Sequence, residues 1–319
     1  MTRLLRQWPA ITLRPVSSQT RIVAMTRFVI VVLGILIAAP FARAAEGPVG
    51  EPAGIWREQI HWVPVRDNIG FTHLLYTRVC RPRTEARARV VTINHGAPPD
   101  ANVRPRMQPA KCESEAVQWF LNRGYLVVMA MRRGFGETGG FYAETYGSNC
   151  TESTYAHAGL EASRDLDAVV NYATALPYAR PDGAVVVGQS VGGWATDAYN
   201  SQPHPKVIAM VSMAGGHGGH VALQPNNNCR PDQLAAAAGI FGKTATTPML
   251  WVYTANDTFF APPIATALYA SFTAAGGKAD FIQPGPYGDD GHNLFFGKGG
   301  SAIWGPFMER YLASRGAGP

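Results

Sequence analysis

Ten residues constrain this chain more than any other stretch: Ala184-Val185-Val186-Val187-Gly188-Gln189-Ser190-Val191-Gly192-Gly193. A β-branched apolar run stops at a glycine, a serine follows one residue later, and two more glycines lead into Trp194-Ala195-Thr196-Asp197-Ala198-Tyr199, a segment with helical character. In the G-x-S-x-G pattern a strand turns sharply into a helix and lifts the serine hydroxyl above the edge of a sheet. The need for glycine is steric. The turn brings the serine's neighbours against other backbone, so a Cβ at Gly188 or Gly192 would clash. The string alone recurs by chance, and the strand before it with the helix after it give it weight.

Around this centre, strands and helices alternate. The runs Arg89–Asn94, Tyr125–Met131, Ala184–Val187, Lys206–Met213, Pro248–Thr254 and Ala279–Gln283 read as strands. Segments 113–123, 152–176, 232–241 (entered at Pro231), 262–275 and 301–313 read as helices, several with an apolar face at helical spacing. Such alternation predicts an α/β fold, a mostly parallel sheet with helices on both faces. Two earlier runs, Ile60–Val65 and Thr72–Val79, flank a turn and predict an antiparallel N-terminal hairpin, with Pro64 on an edge strand. Gly47 to Gly54 reads as a loosely held, extended lead-in. No linker divides the remainder, so residues 45–319 are expected to form one domain.

The net charge of +6 is misleading, because six of the 28 basic residues precede residue 45 and leave 22 against 22 acids. A nucleic-acid partner is therefore not expected. Residues 1–44 read as a leader. Met25-Thr26-Arg27 is a charged start, Phe28–Ala39 is an apolar run too short to span a bilayer comfortably, and Ala42-Arg43-Ala44 fits a cleavage site. Within it, 25–44 reads as a signal peptide, with an uncleaved anchor as the alternative, and 1–24 read as an extended start or upstream translation. The expectation is an exported protein, periplasmic or secreted after cleavage near Ala44, with no stable membrane insertion. Export makes the four cysteines meaningful. No C-x-x-C occurs, so no zinc site and no other metal is expected. Of the three possible connectivities, Cys150–Cys229 is favoured, since both follow strands ending on one edge; Cys80 belongs at the opposite edge without an assigned partner, and Cys112 is left a free thiol.

Parallel strands deliver their C-terminal ends to one edge, where ligands bind. Here those ends carry His95-Gly96, Arg133-Gly134, Ser190, Gly215-Gly216, Asp257 and the loop of His292. A serine hydroxyl needs a base within reach to act as a nucleophile. His292 is the expected base and Asp257 the acid that orients it, in the chain order Ser…Asp…His. His61, His73, His157 and His204 fall away from this edge, and His217 and His220 precede the acid. Asp289 and Asp290 are expected to cap or solvate the histidine loop. An oxyanion needs preorganised donors. The backbone N–H of Val191 is one; Pro98 and Pro99 have none, so Ala97 or Gly96 supplies the other. His95 is expected to fix its loop or to line the substrate pocket, with Phe135, Gln189, Tyr142 and, as further aromatic candidates, Tyr146, Trp194, Phe259 and Phe260; for each of these rings core packing is the alternative. Arg132 and Arg133 either brace a loop or bind an anionic group. The glycines at 134, 136 and 139 are not followed by a helix start or a suitably placed acid, so no dinucleotide cofactor is expected.

Taken together, Asn94-His95-Gly96, Arg133-Gly134-Phe135-Gly136, Gly188-Gln189-Ser190-Val191-Gly192-Gly193, Asn256-Asp257 and Gly291-His292 resemble the α/β-hydrolase superfamily. Within it the chain is similar to exported members of the dienelactone-hydrolase and prolyl-oligopeptidase-like branch, over about residues 60–315. The resemblance implies an eight-stranded sheet whose second strand is antiparallel, and no cofactor. Dienelactone hydrolases use Cys where Ser190 stands, which favours a serine esterase acting on a small-molecule ester. The short segment between Gly215 and Thr247 argues against a large lid and an oil-interface lipase. A serine peptidase of the same fold is the alternative; a ligand-binding protein without catalysis is the alternative from another class.

Overall fold

A computed structural model describes residues 46–147, 150–151 and 153–319. The leader, 1–44, and Glu152, where the long helix was expected to begin, lie outside the described residues. Nine strands form one sheet: β1 (Gly47–Ala53), β2 (Glu58–Arg66), β3 (Thr72–Cys80), β4 (Val90–Asn94), β5 (Leu126–Ala130), β6 (Ala184–Gln189), β7 (Val207–Met213), β8 (Met249–Val252) and β9 (Ala279–Ile282). Their spatial order is β1-β2-β3-β5-β4-β6-β7-β8-β9. From β5 onward all neighbours are parallel, while β1–β2, β2–β3 and β3–β5 are antiparallel. The sheet thus has one strand more than expected. Gly47–Gly54 is not a loose lead-in: most of it is β1, paired to β2 with a break in register between Val49 and Ala53. An edge strand bonds on one side only and tolerates Gly and Pro, which is why its composition reads as a loop.

The central strands are buried on both faces and read as continuous apolar runs. Along β6, alternate residues feed two separate cores. Ala184 and Val186 face α2 (Tyr155–Thr174), α3 (Val191–Asn200), α4 (Pro231–Gly242) and α5 (Pro262–Ala274). Val185 and Val187 face α1 (Glu115–Leu121) and α6 (Gly300–Ser314). The first core is filled by Trp194, Phe241, Trp251 and Phe272, and the second by Phe120, Trp304 and Tyr311. This period-2 partition fixes the register of β6 and therefore where its C-terminal end, with Ser190, emerges.

Cys150 is joined to Cys229, and Cys80 to Cys112. The second bond corrects two expectations: Cys112 is not free, and Cys80 has a partner. That partner lies 32 residues away, just before α1, and becomes a neighbour only because β3 pairs with β5. Among the described residues no helix is long and apolar enough to cross a membrane.

Cys80→Ala/Cys112→Ala removes the cross-link over that separation, and the chain-entropy relation predicts a loss of roughly 3–4 kcal/mol. The thermal midpoint of the double variant should fall by several degrees in calorimetry. A midpoint equal to that of the oxidised wild type would refute the estimate.

Candidate active site

Ser190 sits between β6 and α3 with φ 58° and ψ −124°, a conformation that costs a non-glycine residue about 1–3 kcal/mol. Backbone bonds enforce it. The Ser190 N–H donates to Met213 O at 3.0 Å, and its carbonyl accepts from Trp194 N–H at 3.0 Å and from Gly216 N–H at 3.2 Å. The glycines allow the close approach: a Cβ at Gly192 would strike the carbonyls of Asn94 and His95, and one at Gly188 the carbonyl of Gly192. The N–H of Val191 is the first in α3 and has no intrahelical partner.

The loop after β4 passes directly over this turn. A Cβ on Gly96 would lie 2.9 Å from Ser190 Cβ and 2.6 Å from Gln189 Oε1, so only glycine lets the loop come this near. Next to it, the N–H of Ala97 donates to no group among the described residues. His95 holds the loop: its Nε2 accepts from Arg132 N–H at 3.2 Å and its Nδ1 donates to Gly96 O at 2.7 Å. Burial first, and the Arg132 charge second, hold its pKa well below the ordinary histidine range.

Asp257 follows β8 and is buried. Its Oδ1 accepts from the N–H groups of Phe259 and Phe260, both at 2.8 Å. His292, also buried, bonds the same carboxylate through Nδ1, 3.0 Å from Oδ2 and 3.2 Å from Oδ1. Its ring stacks on Phe259 at 4.1 Å between centroids. Two contacts set its loop. Gln189 Nε2 donates to the His292 carbonyl at 3.1 Å, and Asp290 accepts from His292 N–H at 3.0 Å while also accepting from Thr258 N–H and Oγ1–H at 3.1 and 2.7 Å. Asp290 is thus a cap that ties the histidine loop to the aspartate loop. Desolvation alone would raise its pKa, but these bonds outweigh it and hold the carboxyl below the usual range.

Ser190 opens into a cleft of about 130 Å³ lined by Ala97, Pro98, Tyr142, Val191, His217 and Phe260 among others. Two larger surface grooves, of about 540 and 560 Å³, lie elsewhere on the molecule, away from Ser190. Of the pocket residues expected from sequence, Tyr142 lines the cleft, as do Tyr146, Phe259 and Phe260. His95, Phe135, Gln189 and Trp194 do not. Phe135 and Trp194 are fully buried, Phe135 against the rings of His95 and Tyr142 and Trp194 against Phe241; Gln189 is spent on the His292 loop. Phe135 and Trp194 are buried away from the cleft, while His95 and Gln189, half-buried, hold loops through hydrogen bonds. His217, set aside from sequence, is a wall of the cleft. Its Nε2 donates to Glu144 O at 3.0 Å and its Nδ1 accepts from Gly218 N–H at 2.9 Å, and burial lowers its pKa to about 3. Arg132 and Arg133 brace. Arg132 is buried in a fork with Glu144 and donates to His95 O at 2.7 Å, and Arg133 is paired with Asp165 at 2.7 Å and donates to Glu161 O at 2.8 Å. Arg104, on the cleft wall, carried no sequence signal: it lies in a proline-rich loop that reads simply as polar.

The sequence model of the prolyl oligopeptidase family matches residues 112–215. No curated protein matches the chain in sequence. Among solved structures, Pyrococcus horikoshii acylaminoacyl peptidase superposes with a TM-score of 0.59 at 16% identity, over 82% of this chain and 42% of that one. Acetyl xylan esterase from Paenibacillus sp. R4 gives 0.57 at 13% identity, over 85% and 88%. Porphyromonas gingivalis dipeptidyl peptidase 4 gives 0.55 at 15%, over 81% of this chain but 36% of its own length. The likeness shows the α/β-hydrolase fold.

The depressed Asp290 carboxyl stabilises the folded state fully above the unfolded value of about 3.9, and that contribution is lost as pH falls through its lower folded value. Asp290→Asn should therefore be less stable than wild type at pH 7 in denaturant melts, and the gap should close in strong acid. A gap that persists unchanged in acid would show that the charge of Asp290 is not what holds the loop.

Proposed function

We propose that the chain is an exported hydrolase that cleaves carboxylic esters through an acyl-enzyme. In this reading Ser190 Oγ attacks the ester carbonyl. Nδ1 of His292 is engaged by Asp257, which leaves Nε2 to take the serine proton and return it to the departing alkoxide. Asp257, fixed by two backbone N–H groups, holds the imidazole tautomer and balances the imidazolium charge. The N–H groups of Val191 and Ala97, with Gly96 permitting the approach, stabilise the oxyanion. Water then repeats the sequence on the acyl-serine. The observation that carries the reading is the bonded Asp257–His292 pair, whose loop is tied by Gln189, the residue next to a strained serine.

The small, ring-walled cleft suits a short acyl group, and among the residues described as lining it none is a carboxylate that would hold a peptide's amino terminus. Both favour an ester. The match to the prolyl oligopeptidase family favours a second reading, a peptidase of the same mechanism. Export is supported by the two disulfides, which persist in oxidising compartments, and by the leader pattern in residues 25–44.

A fluorophosphonate probe should label the wild type and leave Ser190→Ala unlabelled. His292→Ala should lose at least ~10³-fold in kcat on p-nitrophenyl acetate or butyrate. Equal labelling of Ser190→Ala would remove the proposed nucleophile, and retained turnover in His292→Ala the proposed base. Faster turnover of aminoacyl or dipeptidyl anilides than of the esters would select the peptidase reading.

A further inference from the structure

Three arginines sit in the loops that follow β4 and β5, and they are not equivalent. Arg132 and Arg133 are buried, and each is neutralised by a buried carboxylate, Glu144 and Asp165 respectively. Arg104 lines the cleft, half-buried, and among the described residues its guanidinium forms neither a hydrogen bond nor an ion pair. Its guanidinium carbon lies 3.9 Å above the centroid of the Tyr142 ring. Tyr142 is itself held, its hydroxyl 3.3 Å from His217 Nε2. The cation is therefore positioned by stacking and not by a counter-charge. Stacking occupies the face of the guanidinium and leaves its N–H edge available for planar, two-point contact with a carboxylate.

The rest of the lining sharpens the point. Pro98, Pro99, Phe259 and Phe260 are apolar, His217 is neutral, and among the described residues lining the cleft none is acidic. A cation in such walls is poorly screened and attracts an anion more strongly than an exposed one does. We propose that Arg104 selects substrates bearing a carboxylate, so that the cleft takes a short ester with one free acid group. This rests on the ester-hydrolase reading above for the reaction, but not for the binding. The bond cleaved remains the ester C–O bond, water is the other reactant, and the free carboxylate is unchanged by the reaction.

The carboxylate can sit on the acyl or on the leaving side, and two substrate pairs separate these. On the acyl side, p-nitrophenyl hemiglutarate is compared with p-nitrophenyl pentanoate. On the leaving side, 4-acetoxybenzoate is compared with its methyl ester. In at least one pair the ratio of kcat/KM, anionic over neutral, should fall roughly 10- to 100-fold in Arg104→Gln, with Arg104→Lys between it and wild type. A ratio unchanged in both pairs would overturn the proposal, even if both substrates slow equally, since equal slowing is what a purely structural role through Tyr142 would give. Should Arg104→Gln not fold, the wild-type ratio itself decides: it should fall as salt is raised, and a flat ratio counts against the role. Glutarate binding by calorimetry, Ser190→Ala against Ser190→Ala/Arg104→Gln, needs no turnover. Binding that depends on Arg104 in a protein that cleaves no ester would leave the anion site standing while the ester reading falls.

Discussion

The close approach of two strand ends governs this site. The C-terminal ends of β4 and β6 are adjacent and parallel, and the loop from one runs over the turn from the other with no room for a Cβ at Gly96, Gly188 or Gly192. That crowding holds Ser190 at a positive φ, points the start of α3 at the cleft, and brings the Ala97 N–H to the same rim. Strain at one residue is thereby maintained by many ordinary contacts, each made by the register of a buried sheet.

Two polar frameworks keep the rim in shape. Arg132, forked on Glu144, grips the β4 loop through the His95 carbonyl, while Arg133 fastens the β5 loop to α2 through Asp165 and Glu161. Buried pairs of this kind contribute little net stability against an apolar alternative, but losing one partner strands a charge at a cost of about 3–5 kcal/mol. Their use here is geometric. On the other side, Asp290, Gln189 and the amides of Phe259 and Phe260 fix the Asp257 and His292 loops to each other and to β6. Burial lowers the pKa of both His95 and His217, and among the described residues lining the cleft Arg104 is the one with a formal charge.

Much of this was legible in the residues, and what was not has identifiable causes. The G-x-S-x-G turn is a local steric device, so its strand, glycines and helix are readable in ten consecutive positions. Apolar runs ending in glycine or in Asn-Asp likewise mark the strand exits. The edge strand β1 escaped because its stability comes from pairing with β2 and not from its own composition. The partners of Arg132 and Arg133 lie 12 to 32 residues downstream and look in sequence like any solvated acid. Phe135 and Trp194 were legible as aromatic, with core and cleft both open to them, since a ring lining a cleft and a ring filling a core have the same local signature.

By itself the sequence determined the layer architecture, the strand that carries Ser190 and the steric need for its glycines, because these depend on periodicity and on contacts between near neighbours. Tertiary structure alone decided the Cys80–Cys112 bond, the 3.0 Å contact of His292 with Asp257, and the exposure of an unpaired Arg104 to the cleft. Those are distances between segments that meet only when the sheet is assembled. No local pattern encodes a distance across a sheet; it follows from the order in which the strands pair.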